Sequence, residues 1–276
     1  TDDNTKFVCS VCQDEKAATW CEACESYEIW NAWDGKTKFP ESGHYYLAES
    51  ATMNGSISIA KGVEIYLDLR GNNLSTATGK RAFYLNGKMN LMDSTAKFVE
   101  DQYVSGAIIG NKVADDGAVF DVADNGNLTL LSGTIRDGQT SAYNYYGGNI
   151  YAHGTGKLYV KGGLIANGKA GRGGNIYGSG EVHISGGIIE DGRALKYDGR
   201  STSARGGNIA STDYLYITGG IIRNGGAQTA EGNTLAGSSN ATYTYSYVLT
   251  EKEVGNSKGA SLPATGGEVI HVEAKA

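Results

Sequence analysis

The chain has 276 residues, enough to bury one large core or two modest ones. Its 41 glycines against two prolines exclude collagen and a proline-rich linker and require many tight turns in a folded β protein, while 18 tyrosines against five phenylalanines favour aromatic surface over aromatic core. The net charge of -6 without a basic block argues against nucleic acid and anionic membrane as partners, no apolar run reaches the roughly 18 residues of a bilayer span, and nothing at Thr1 resembles a signal peptide, which a processed chain would lack.

Residues 1–40 carry two cysteine pairs, Cys9-x-x-Cys12 and Cys21-x-x-Cys24. Two such knuckles place four thiolates where a structural zinc ion can be held tetrahedrally, with no position left for a catalytic water. Two disulfides are the competing reading, and an exported protein favours them. A redox role has no βαβ pattern around it. Trp20, Trp30 and Trp33 are expected to pack this knuckle on the first rung of the repetitive region, covering an edge that would otherwise be unpaired.

Residues 41–236 hold an internal repeat. Gly-Gly-Asn-Ile occurs at 147–150, 173–176 and 206–209, spaced by 26 and then 33 residues, with an echo, Glu-Gly-Asn-Thr, at 231–234. Each copy leads into alternating apolar segments, KLYVKGGLIANG, EVHISGGIIEDG and DYLYITGGIIRNG, in which Leu158 to Ile165, Val182 to Ile189 and Leu215 to Ile222 are all seven apart, as are Leu128 and Ile135 before them. Alternation over three to five positions is strand periodicity, and no window carries a helical stripe. GSISIA, VEIYLDLRGNNL, RAFYLNGKMNLMD and GAIIGN fit the template less cleanly. A unit of this length holds three short strands and three turns, none able to bury its apolar face alone, so the expected fold is all-β, a right-handed parallel β-helix with rungs about 4.8 Å apart. Asp137-Gly138, Asn167-Gly168, Asp191-Gly192 and Asn224-Gly225 each come after the last inward isoleucine, where Asx-Gly supplies a left-handed turn. Asn149, Asn175 and Asn208 are expected to form an amide ladder, and the seven extra residues between Asp191 and Gly206 to bulge out of the stack.

GGNIY with the GxLxIxGGxI segment resembles the repetitive β-helical surface proteins of Gram-positive gut anaerobes, and less closely the GGA[ILV] repeats of chlamydial polymorphic membrane proteins. SGHYYLAES, ISIAKGVEIYLDLRGNNL and RAFYLNGKMNLMD resemble the opening rungs of the first group, so the likeness covers residues 41–226. It implies an extracellular or cell-wall-attached, adhesin-like protein, and it specifies fold better than function.

Stacked repeats stack their outward side chains. Phe120, Tyr151 and Tyr177 are expected to form one exposed row, and Thr129, Tyr159, His183 and Tyr216 another, as platforms for sugar rings or a protein partner or as plain stabilising stacks. Loops leaving the turns on one side bring Tyr143, Tyr145, Tyr146, Arg172, Lys196, Tyr197, Arg200 and Arg205 to a candidate glycan or host-protein surface. Asp137, Asp191, Glu190, Arg136 and Arg223 could supply an acid pair or a calcium site, although turn chemistry already explains the Asx column. His44, His153, His183 and His271 fall at unrelated positions.

Residues 237–276 differ. Tyr243, Tyr245 and Tyr247 alternate with threonine or serine as in a long strand covering the far end, and Leu262 to Gly266 is similar to a sortase sorting signal, although EVIHVEAKA lacks the anchor and basic tail and reads as a strand. The function expected is a non-enzymatic surface module binding a glycan or host protein, with a polysaccharide lyase or glycoside hydrolase and a passive stalk as alternatives.

Overall fold

The computed structural model describes residues 6–8, 15–21, 26–197, 204, 206–227, 257–258 and 270–272, those before 28 and after 227 by their backbone alone. These residues are all β, with no helix among them, and most of their strands pair in parallel. Three series of strands recur. The first runs from Ser26–Trp33 through Gly43–Leu47, Glu64–Asp68, Lys88–Met92 and Asn127–Leu130 into the later parts of Ile150–Val160, Ile176–Glu190 and Tyr214–Arg223. The second includes Asn73–Ser75, Ala107–Ile109, Thr134–Arg136 and Leu164–Ala166. The third joins Ile57–Ile59, Phe83–Leu85 and Phe120–Val122 to the starts of the two longest strands and to Ile209–Ser211.

Expected short strands thus run together, as in the 15-residue strand Ile176–Glu190, whose pairing with its neighbours shifts register along its length. The seven-residue spacing holds because Leu128, Leu158, Val182 and Leu215 are mutual neighbours, and so are Ile135, Ile165, Ile189 and Ile222. All of these are buried, and with Ile65, Leu67, Met89, Leu91, Phe83 and Phe120 they make one continuous core. Burying one such aliphatic side chain contributes about 1.5–3 kcal/mol.

Rung length is not constant. His44 and Tyr66 are neighbours 22 residues apart, whereas Asn90 and Thr129 are neighbours across 39. The surplus in the longer rung contains the antiparallel hairpin Lys97–Val99 with Gln102–Val104, turned by Glu100 and Asp101 at positive φ. Beyond the insertion after Asp191, Tyr177 pairs with Ala210 in unbroken register.

Both ends of the parallel stack carry antiparallel strands. Glu15–Cys21 pairs with Ser26–Trp33 at one end, and Ser257–Lys258 and Ile270–Val272 pair with Tyr214–Arg223 at the other. Parallel pairing therefore begins within Ser26–Trp33, ahead of residue 41, and the EVIHVEA segment does form a strand. Opposed strands saturate backbone groups that an open edge would expose. Tyr243, Tyr245, Tyr247 and Leu262 to Gly266 lie outside the described residues.

The Gly-Gly-Asn motif is a three-part corner. Gly173 sits at φ 62°, and a Cβ on Gly174 would lie 2.1 Å from the Gly207 carbonyl oxygen and 2.2 Å from the Arg193 nitrogen. Asn175 is fully buried beside them. Gly174→Ala is expected to cost about 2–3 kcal/mol, because backbone rather than a flexible side chain must move; an unchanged denaturation midpoint would show that the corner has room.

The Asx turn column is as expected from sequence: Asp137, Asn167, Asp191 and Asn224 take φ of 64°, 59°, 55° and 54°. Asn149 donates to the side-chain oxygen of Asn175 at 2.8 Å and Asn175 to that of Asn208 at 2.9 Å, so the amide ladder is continuous.

Candidate functional site

One outward column runs along the first series from Trp30 through His44, Tyr66, Asn90, Thr129, Tyr159 and His183 to Tyr216. His44 and His183 therefore share a column and are not at unrelated positions. Thr129, expected at the surface, is 9% exposed. Ring planes lie nearly parallel at 4.2 Å for His44 and Tyr66, 4.7 Å for Tyr159 and His183, and 4.5 Å for His183 and Tyr216. Rings stacked this way cover one another's faces and offer mainly edges to a ligand. Beside them Glu181 accepts from Lys157 at 2.8 Å and contacts His183, which holds its carboxyl below the usual range.

The third series carries the richer chemistry. Strand register places Asp121, and not Phe120, in the row of Tyr84, Tyr151 and Tyr177. Phe120 is inward and fully buried, which corrects the expected exposed row: a shift of one residue moves a side chain to the opposite face. Tyr177 is only 5% exposed, because Tyr146 from the loop at 141–148 lies over it with centroids 4.6 Å apart. Arg172, bridged to Tyr146 through the backbone, places its guanidinium 5.4 Å from that ring. Tyr151 stacks on His153 at 4.6 Å.

Three aspartates surround this group. Asp121, buried, accepts from His153 Nε2 at 2.8 Å and pairs with the buried Arg81, whose other arm meets Asp115. Asp116 accepts the backbone N–H of Tyr146 at 2.5 Å, tying the aromatic loop down. The result is a half-exposed surface of Tyr146, Tyr151 and His153, backed by Tyr177, with carboxylate and guanidinium groups at its margin.

Burial pushes the Asp116 carboxyl up to about 6, and the nearby charges of Asp115 and Asp121 add to this against the Tyr146 N–H. Hydrogen bonding to Asp121 raises His153 above its ordinary 6.5, outweighing desolvation. Burial also raises the Tyr151 hydroxyl. A carboxyl with a raised folded value disfavours folding increasingly as pH climbs from 3.8 to about 6. The stabilisation from His153 is complete below 6.5 and is lost as pH rises through its raised value. Both contributions therefore fall with rising pH. Thermal unfolding between pH 5 and 8 should show a downward slope in Tm that flattens in Asp116→Asn combined with His153→Gln; a slope identical to that of the unmodified protein would refute the assignment.

The remaining sequence-derived positions are scattered more widely. Tyr143 is 46% exposed at the loop tip, and Tyr145 accepts the Gly171 N–H through its carbonyl oxygen. Tyr197 donates to the Thr140 carbonyl oxygen at 2.7 Å, which fixes it as a strut, with Lys196 half-buried beside it. Arg200 and Arg205 lie outside the described residues, as do Cys9, Cys12 and Cys24; Cys21 ends the strand Glu15–Cys21, described by backbone only. Glu190 pairs with Arg223 at 2.6 Å and Asp137 with Arg136, so these carboxylates are engaged. Sequence reasoning missed Arg81, Asp115, Asp116, Asp121 and His153, which come from four separate stretches. A signal existed for one of them, since aligning Gly117 to Phe120 on Gly147 to Ile150 puts Asp121 level with Tyr151. Set against protein-family models, curated proteins and solved structures, the chain matches none.

Proposed function

We propose that the chain is a right-handed parallel β-helix acting as a non-enzymatic, adhesin-like glycan-binding module at the outside of a Gram-positive cell, extracellular or wall-attached. The observation that carries this reading is the cluster of Tyr146, Tyr151, His153 and Tyr177 with Asp116 and Arg172 on a rigid stack of parallel strands. Half-exposed rings with fixed polar groups at their edge match what a pyranose presents, apolar C–H faces ringed by hydroxyls. The recurring parallel register and repeated three-strand rungs support the architecture. The four cysteines belong to the same proposal as a zinc knuckle; metal analysis should give about one zinc per chain, released with four reactive thiols on unfolding in chelator, whereas disulfides would give neither.

A glycan and mucin array tests binding. Tyr146→Ala is expected to weaken the best-bound glycan roughly tenfold, as removal of a central aromatic anchor does. Binding that survives Tyr146→Ala and Tyr151→Ala at full strength, or no binding at all, would sink the module reading and leave a stalk.

A second reading is favoured by the carboxyl of Asp116, held near 6 within reach of the same cluster as His153. Groups shifted in this way suit acid–base cleavage of a polysaccharide. New reducing or unsaturated ends, abolished by Asp116→Asn, would convert the module into an enzyme.

A further inference from the structure

A second surface stands apart from the tyrosine cluster. Just after the second series the chain turns, at an Asx-Gly corner in three of four cases and at Gly110-Asn111 in the other, and forms two-residue strands that pair in parallel: Lys112 with Gln139, Gln139 with Lys169, Lys169 with Arg193. Pairing of this kind repeats the same side chain position once per rung, about 4.8 Å apart. Asp137, Asn167 and Asp191 form a parallel row two residues earlier. Between the two rows runs an open groove of about 520 Å³, lined by Asp137, Gln139, Asn167, Lys169, Asp191 and Arg193.

The lining carries two cations, Lys169 and Arg193, and two carboxylates, Asp137 and Asp191, but one carboxylate is already paired from outside it. Asp137 is matched by Arg136, and Glu190, on the preceding strand, is matched by Arg223. Setting those pairs aside leaves Lys169 and Arg193 against Asp191 in the lining, and Lys112, paired with Gln139, continues the row beyond it, a cationic strip on a protein whose net charge is -6. Arg193 is also held in place: its guanidinium donates to the backbone oxygens of Gly192 at 3.1 Å and Asn224 at 2.6 Å, bonds that fix its position without neutralising it. Lys112 and Lys169 are exposed, so their charges reach solvent.

We infer that this groove binds a linear acidic polysaccharide, one bearing a carboxylate or sulfate on successive sugars, laid along the stacking axis. A rigid row of donors repeating with each rung offers one cation or amide to each sugar of an extended chain, and Asn167 and Gln139 can bond hydroxyls between the charged contacts. A folded protein or a short peptide has no reason to present anions at that period, and a small anion would gain from one rung only. Affinity should therefore grow with chain length until the row is spanned, and fall as salt screens it.

The test uses the full chain and defined oligogalacturonates of two to eight sugars, with chondroitin sulfate as the sulfated arm and a neutral β-glucan of equal length as control, read by calorimetry or affinity electrophoresis. Expected are binding to one or both acidic polymers, no binding to the neutral one, and tighter binding from the dimer to the longer oligomers. Lys169→Ala with Arg193→Ala should weaken binding at least tenfold. Asp191→Asn, which removes the opposing charge, should strengthen it, and this second variant keeps the test open should the first fold poorly. Tyr146→Ala should leave it unchanged, which separates the groove from the tyrosine cluster, so either can fail alone. Absence of binding to both acidic polymers, equal affinity for the neutral control, or an Asp191→Asn effect of the opposite sign would overturn the inference.

Discussion

Replacing Asn175 by alanine is expected to destabilise the protein by about 4 kcal/mol, from four lost hydrogen bonds at roughly 0.5–1.5 kcal/mol each and one buried donor left without a partner. The fully buried carboxamide makes four bonds. Its nitrogen donates to the Glu190 carbonyl oxygen at 2.7 Å and to Asn208 at 2.9 Å, and its oxygen accepts from Gly168 N–H and from Asn149, both at 2.8 Å. Alanine leaves the Gly168 donor without its partner and the Glu190 carbonyl oxygen with only the Asn167 N–H, and it cuts the amide ladder in the middle. Asn175→Asp should be at least as harmful at neutral pH, because the buried carboxylate cannot donate to Glu190 or Asn208, and part of the loss should return on acidification. Urea denaturation followed by circular dichroism measures both. A loss under 1 kcal/mol for alanine would mean that the ladder is ornamental and that the corner is held by backbone pairing alone.

Phe120→Ala is the second large effect, about 3–5 kcal/mol for a buried aromatic truncated to a cavity. The ring is fully buried, stacks on Phe83 at a centroid distance of 5.3 Å with 21° between planes, and continues a column of core aromatics through Trp33 and Phe39. Phe120→Leu, which keeps most of the volume, should cost under about 1.5 kcal/mol. The pair of variants reads register directly. An outward Phe120 would make both substitutions nearly silent, within roughly 0.5 kcal/mol as surface changes usually are, and would return Asp121 to the core, where Arg81 and His153 could not pair with it.

The aromatic cluster and the cationic groove depend on the same stacking in different ways. The cluster arises because two loops, one carrying Tyr146 and one carrying Arg172, are tied to neighbouring rungs by parallel backbone bonds, including Gly147 N–H to the Arg172 carbonyl oxygen at 3.0 Å. The groove needs no loop at all. It arises from two-residue strands after the Asx-Gly turns at 137, 167 and 191 and after Gly110-Asn111, so its chemistry was written at 112, 139, 169 and 193 but became a row only once those positions were paired.

Repetition is the part of this protein that the sequence determined by itself. The Gly-Gly-Asn corners, the left-handed Asx-Gly turns and the seven-residue interval between inward aliphatics are local in cause: each requires particular residue types in one backbone conformation, and their recurrence also announced the amide ladder that the corners build between them. The outward surfaces were decided by tertiary structure. Parallel paired positions lie from 14 to 39 residues apart, so which side chains become neighbours depends on where each surplus falls, and a one-residue difference in that placement sends Phe120 inward and Asp121 outward. Asp121 apart, the grouping of Arg81, Asp116 and His153 with the tyrosines has no sequence signature, because contacts between neighbouring strands are set by hydrogen-bond register and not by spacing along the chain.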